Sequence, residues 1–480
     1  MKLCSTLLVL CPLAPAAQVV QLVDASGDGL GNILDLPLGV ATDPVGNVYF
    51  AGYDSNNVFR RASNGGLSVI LDASGDGAGN ALQNPRDLAI DTFGNVYVSG
   101  ETSANVFRIE PGGAISEVID VTGDGAGAFL LGARDVVVDS NGTLYVAGAL
   151  SDNVFAVEPG GAITQIIGPE GAGPGAELDA PIGLALDSAD NLYVAGFESD
   201  NVLRRTPVGE LSEVIDAAGD GQGGVLDGAL YLVVDAADRV SVSGFLSDVV
   251  LRYEAGSGVE LVADGSGDGS GNVLDGPRGL AASADGTLYV AAQLSDNAFR
   301  IDAAGGLTQV LDASGDGASG IYSGGSRLAL DSFGNAILPG AFSDNVLRVG
   351  PRAACAFRNG SGSNETGFLC LTSPAVGAVW RTTIATDPSP GTSTLGTVLV
   401  VGAGGPTSSV FLFGGQELLV SPPFLLDAQL GANAGQHALP LLPDVSVLGL
   451  TTSTQGARLE LLGGGVITRL LNAQDATLGI

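Results

Sequence analysis

Lysine is all but missing from this chain, Lys2 being the only one. With 19 basic residues against 52 acidic ones and a formal net charge of -33, no polybasic surface is available. Such a chain repels nucleic acid and anionic lipid. Histidine occurs once, as His437, which excludes histidine metal cages and leaves residues 18–351 without a histidine base. Beyond the first 17 residues no apolar run is long enough to span a bilayer as a helix. Cysteine is scarce, with four residues. Cys4 and Cys11 fall in residues 1–17, which read as a secretory signal peptide: a basic start, an apolar stretch and the small residues Ala14-Pro15-Ala16-Ala17. In an exported protein Cys355 and Cys370 are then expected to form one disulfide, worth about 3 kcal/mol in the chain-entropy model.

What is abundant is glycine, 74 residues, together with a hydrophobic content of 45%. Short apolar runs cut by turn residues point to an all-β protein. The chain restates one stretch, Asp24-Ala25-Ser26-Gly27-Asp28-Gly29-Leu30-Gly31-Asn32, at Asp72, Asp120, Asp216, Asp264 and Asp312, with a worn copy at Gly168. Each start follows the last by 48 residues, and a fixed period of that length signals a solenoid or a propeller. Four strands fit each repeat; in the second they are Arg86–Asp91, Asn95–Gly100, Val106–Glu110 and Ala114–Ile119. Seven repeats of four strands predict a seven-bladed β-propeller. The seventh copy lacks a fourth strand, and Val19–Asp24 matches the fourth-strand stretch Leu67–Asp72, so the N-terminal strand is expected to close the ring. The recurring Tyr49, Tyr97, Tyr145, Tyr193 and Tyr289, and Phe59, Phe107, Phe155 and Phe299, are expected between blades.

Asn84-Pro85-Arg86-Asp87-Leu88-Ala89-Ile90-Asp91, followed by Gly94-Asn95-Val96-Tyr97-Val98, and the Asn-Val-Phe-Arg runs at Asn57–Arg60 and Asn105–Arg108 resemble the NHL family of propeller repeats. The resemblance covers residues 24–351 and implies the propeller fold. Function varies among proteins with such repeats: RNA binders, protein-binding modules, lyases and exported bacterial proteins. Residues 352–480 break the period and read as a small β-sandwich containing Trp380. With the Cys pair, Phe413–Val420 and the closing Leu471–Gly479, they resemble a C-terminal β-domain of large exported bacterial proteins, which implies attachment or display. The acidity belongs to residues 18–351, where 45 acidic residues meet 13 Arg.

The repeated loop matches the ligand spacing of an EF-hand-type calcium loop. Asp24, Ser26, Asp28, Asn32 and Asp35 stand at positions one, three, five, nine and twelve, with Gly29 at six; Asp264, Ser266, Asp268, Asn272 and Asp275 repeat the set. Poorer copies hold Asp72, Ser74, Asp76 and Asn80; Asp120 and Asp124; Asp216, Asp220 and Asp227; and Asp312, Ser314 and Asp316. Calcium is the expected cofactor, at roughly 10⁻⁴–10⁻³ M; Gly-Asp-Gly is also a good turn without any metal. The second-to-third turns carry Asp152, Asp200, Asp248, Asp296 and Asp344, an expected ring of carboxylates on the same face as these loops. The function expected is an exported, monomeric, non-catalytic propeller that docks a protein or surface glycan on this face, without nucleic acid or membrane insertion. The alternative is a lyase or lactonase-type hydrolase, which the resemblance places at the central channel. Channel-mouth candidates are Arg86, Asp87, Arg134, Asp135 and Arg278, where three Arg either hold an anion or pair with neighbouring acids.

Overall fold

The computed structural model describes residues 19–317, 320–332 and 334–350 with their side chains, and beyond them the backbone of ten further strands. The described residues contain no helix. Two compact units divide the chain near Val349.

The first unit is a ring of seven four-stranded antiparallel sheets. After β1 (Val19–Val23), the first blade runs β2 (Pro37–Thr42), β3 (Val48–Gly52), β4 (Asn57–Arg61) and β5 (Leu67–Leu71), from the axis outward. The next five blades repeat this order. The seventh has Ala329–Leu330, Ala336–Gly340 and Asn345–Val349, and β1 is its fourth strand, pairing Val19 with Val349 and Val20 with Arg348. Closure gives the last sheet an outer strand drawn from the chain's other end, which hides an edge that would otherwise seek a partner.

The core lies between blades. Tyr49 of the first blade packs with Leu88, Val96, Val98 and Phe107 of the second, Tyr97 with Val136 and Phe155 of the third, and Tyr145 with Leu184 and Leu203 of the fourth. Phe59, Phe107, Phe155 and Phe299 are wholly buried, each contributing about 1.5–3 kcal/mol of burial. The tyrosine hydroxyls donate to Asp43, Asp91, Asp139 and Asp187 at the far end of their blades. A buried asparagine follows the same logic: Asn57 Nδ2 donates to the Ile33 carbonyl, and Asn105, Asn153, Asn201, Asn297 and Asn345 repeat the bond 24 residues back. It ties six of the seven inter-blade loops to their blades; the fifth has Val249 at this position.

The innermost strands bulge near their starts. In the first blade the pairing jumps from Pro37 to Val40, in the second from Pro85 to Leu88, in the third from Ala133 to Val136 and in the sixth from Pro277 to Leu280. A bulge re-aims the side chains it carries. Those side chains are the ones at the mouth of the channel.

In the second unit, Ala354–Arg358, Gly465–Thr477, Thr451–Leu462, Ser393–Ala403 and Pro423–Leu430 form a five-stranded sheet in that order. Phe368–Cys370, Val379–Ile384 and Gln436–Pro440 form a three-stranded one. The expected sandwich packing, the Cys355–Cys370 disulfide and the place of Trp380 concern side chains outside the described residues, and the signal peptide lies outside them too.

Candidate binding face and central channel

Seven residues 48 apart form one layer about the axis: Gly39, Asp87, Asp135, Gly183, Tyr231, Gly279 and Arg327. Gly183 lets the neighbouring inner strand come close, since a Cβ there would stand 2.5 Å from the Leu230 carbonyl oxygen. The other four fill the axis. Arg327 donates to both oxygens of Asp135 at 2.9 Å each, and its Nε lies 3.1 Å from Asp87 Oδ1. Its guanidinium rests on the Tyr231 ring, 4.6 Å from the centroid. Asp87 and Asp135 are each 0% exposed. Burial pushes the Asp87 carboxyl well above the usual carboxylate range; Arg327 opposes the shift and Asp135 adds to it. Asp135 Oδ2 also accepts from the Leu184 N–H at 2.7 Å. This layer joins blades two, three, five and seven.

Above it stand the arginines read from the sequence. Arg86 and Arg134 share one acid, Glu101, at 3.1 and 2.9 Å. Arg86 also lies over the Tyr53 ring, 5.7 Å from its centroid. Arg278 is 8% exposed. No carboxylate among the described residues pairs with it; its guanidinium sits beside the Tyr231 hydroxyl, with Arg86 and Arg134 as further neighbours. The sequence pointed to Arg86, Asp87, Arg134, Asp135 and Arg278 and missed Arg327, Tyr231, Glu101 and Tyr53. The 48-residue period carried the signal for Tyr231 and Arg327, which occupy the same repeat position as Asp87.

The carboxylates at the second-to-third turns bond from blade to blade. Asp152 accepts from the Ala180 N–H, Asp200 from Gly228, Asp248 from Gly276, Asp296 from Gly324 and Asp344 from Leu36, at 2.7–2.9 Å. Each reaches the first residues of the next blade, and Asn56 does the same to Asn84. The residues adopt positive φ of about 50°, a conformation Asp and Asn tolerate best after glycine. Ala104 holds the same place in the second blade, with the same φ and no acceptor.

The same face carries an apolar crown. Leu150, Leu246, Leu294 and Phe342 occupy one repeat position and are 69, 58, 58 and 62% exposed. Leu150, Leu246 and Leu294 rest on Gly132, Gly228 and Gly276, and Phe342 on Gly324. Inside them Ala149, Ile182, Leu230 and Tyr231 form a buried patch flanked by Phe197 and Phe245.

In the repeated loops, Asp24 accepts from the backbone and hydroxyl of Ser26, and Asp28 from Leu30, from the Asn32 backbone and from Asn32 Nδ2. The sixth loop repeats this with Asp264–Ser266 and Asp268–Asn272. Hydrogen bonds hold the Asp24, Asp28, Asp264 and Asp268 carboxyls below the usual range, the Ser26, Asn32, Ser266 and Asn272 side chains being the largest causes. Asp35, at the twelfth position of the first loop, has different surroundings. Burial, then Asp344 and Asp54, raise its carboxyl, and Asp179 is raised likewise by burial and Asp152. Among the described residues no three His, Cys, Asp or Glu side chains gather as a metal cluster; a calcium loop also draws on Ser, Asn and backbone oxygens.

Fold and repeat define the class: this chain carries a seven-bladed β-propeller. Residues 77–108 match the SBBP family, described as a beta-propeller repeat. Comparison with curated proteins found no match. Among solved structures, virginiamycin B lyase from Staphylococcus aureus is similar at 12% identity and TM-score 0.53, over 69% of this chain and 98% of that one. The extracellular domains of two hybrid two-component systems from B. thetaiotaomicron are similar at 11 and 12% identity, with TM-scores 0.53 and 0.50. They match over 95 and 96% of this chain, which spans 57 and 59% of theirs. At such identities the likeness concerns the fold.

Proposed function

We propose that this chain is an exported, non-catalytic binding propeller that takes its partner, a protein or a surface glycan, on the face around the channel mouth. The crown carries the reading. Leu150, Leu246, Leu294 and Phe342 expose most of their surface in one repeat position around the axis, and exposed apolar groups gathered in this way mark interaction sites. The turn carboxylates are engaged between blades, so the crown supplies the contact area. The leader-like residues 1–17 support export.

The lyase or lactonase-type reading is weaker. The acids best placed to move a proton on the axis, Asp87 and Asp135, have no exposed surface and are held by Arg327. A general acid or base must reach the substrate proton within hydrogen-bond distance.

Calcium belongs to this proposal as a stiffening ion. Asp24, Ser26, Asp28 and Asn32 in the first loop, and Asp264, Ser266, Asp268 and Asn272 in the sixth, would hold it. Their aspartates, shifted downward, stay charged through the neutral range. Because each loop closes through its own hydrogen bonds, the ion would add to a formed loop.

Binding to a panel of purified polysaccharides and secreted proteins tests the reading. The variant with Leu150, Leu246, Leu294 and Phe342 all changed to Ser should lose binding. A variant with Val45→Ser, Phe93→Ser and Val208→Ser, at the opposite turns, should keep it. Equal binding by both variants would sink the reading.

A further inference from the structure

We infer that the channel mouth is a site for a small amphipathic anion, a carboxylate on an aromatic or alkyl body, with Arg278 as its central cation. The inference goes beyond the binding reading above: on the face proposed there for a protein or surface glycan, it adds a small-molecule site at the channel mouth.

Charge at the mouth does not balance. Three guanidinium groups, of Arg86, Arg134 and Arg278, meet one acid, and Glu101 is already taken by Arg86 and Arg134. Arg278 is more than nine-tenths buried, its Nε has no hydrogen-bond partner, and no carboxylate of the described residues pairs with it. What surrounds it is the Tyr231 hydroxyl and two groups of its own charge. A buried, unpaired cation is costly, and a bound anion would supply the missing counter-charge. Residues 18–351 hold 45 acidic residues, and among the described residues none pairs with Arg278. One layer below, the chain does complete such a pairing, giving Arg327 both Asp87 and Asp135.

The surroundings fix the rest of the ligand. Guanidinium binds carboxylate in a planar, two-pronged manner. Ile182 and Leu230 are buried with Tyr231 in one apolar patch, the partly buried Phe197 and Phe245 pack against it, and Leu246 and Phe342 stand exposed on the same face; an apolar body would find its surface on these phenylalanines and on Leu246. A polyanion is disfavoured by the carboxylates of the same face, among them Asp35 and Asp179, which already feel other negative charges. A single negative charge on an apolar body meets far less of that repulsion.

Isothermal titration of the purified protein with 2-naphthoate, neutral 2-naphthalenemethanol and inorganic phosphate tests this. The expected result is naphthoate binding at least tenfold tighter than the alcohol, with phosphate weaker than naphthoate. Arg278→Gln should bring naphthoate and alcohol within about threefold of each other and leave the alcohol unchanged. If Arg278→Gln fails to fold, Arg134→Gln, which leaves Glu101 paired with Arg86, should still weaken naphthoate at least threefold. Equal affinity for naphthoate and alcohol, both lost in Leu246→Ser with Phe342→Ser, would overturn the anion site while leaving the binding face in place. No naphthoate binding at millimolar concentration, or a preference for naphthoate that survives Arg278→Gln, would also overturn it.

Discussion

Arg327 grips Asp135 across the axis with two hydrogen bonds of 2.9 Å, linking the seventh blade to the third. The same guanidinium faces Asp87 of the second. Removing one member of a buried ion pair leaves its partner charged and dry. Arg327→Ala should therefore cost about 3–5 kcal/mol of stability. Arg327→Lys should recover only part, since a single ammonium cannot reproduce the two-pronged contact. Chemical denaturation of the three proteins checks this; an Arg327→Ala cost below about 1 kcal/mol would contradict the axial role.

Asp87 gives a pH signature. Burial raises its folded-state carboxyl above the unfolded value, which is about 3.9. A group raised in this way contributes stability that is fully present below the unfolded value and is lost as pH rises through the folded one. The difference in unfolding free energy between wild type and Asp87→Asn should therefore fall as pH increases from 4 through neutrality. Taking the difference cancels the opposite trend from Asp24 and Asp264, whose carboxyls are lowered. Denaturation curves at four pH values measure it; a difference independent of pH would contradict the shift.

The clasp between blades has one gap. Ala104 shares the positive φ of Asp152 and Asp200 but offers no acceptor to the next blade. Ala104→Asp should let the new carboxylate accept from the Gly132 N–H and raise stability by about 0.5–1.5 kcal/mol. Asp248→Ala should lower it by a similar amount, through loss of the 2.8 Å bond from Gly276. Thermal melts of both variants provide the check, and a destabilising Ala104→Asp would argue against the clasp.

The calcium proposal predicts a modest rise in melting temperature at millimolar calcium over magnesium after chelation. A ligand confined to the folded state adds about 2.7 kcal/mol per site at 100 times its dissociation constant. Asp28→Ala with Asp268→Ala should abolish the rise. No calcium-selective rise in wild type would leave these loops as turns alone.

Much of the fold was legible because it is written seven times. The strands expected at Arg86–Asp91 and Val106–Glu110 are found at Pro85–Ile90 and Asn105–Ile109, each one residue earlier. Periodicity fixes strands, cores and turns, since each copy reports on the others. The axis was harder to read, because there the repeat position is broken on purpose of packing: Gly39, Asp87, Tyr231 and Arg327 share one slot and no chemistry. Only closure of the ring brings Arg327 to Asp135, 192 residues away. The turn aspartates were visible but not their partners, since a carboxylate that accepts an N–H 28 residues on looks, in one dimension, like one that faces water. Asp35 is a further case. Loop spacing groups it with Asp24, but could not show that closure of the ring also brings Asp344 near it.

The most direct test of the binding face is hydroxyl-radical footprinting of the protein, alone and bound to the polysaccharide or secreted protein it retains. The account predicts protection of Leu150, Leu246, Leu294 and Phe342, with Val45, Phe93 and Val208 reacting as before. Protection at Val45, Phe93 and Val208 with the crown still reactive would place the partner on the opposite face and contradict it.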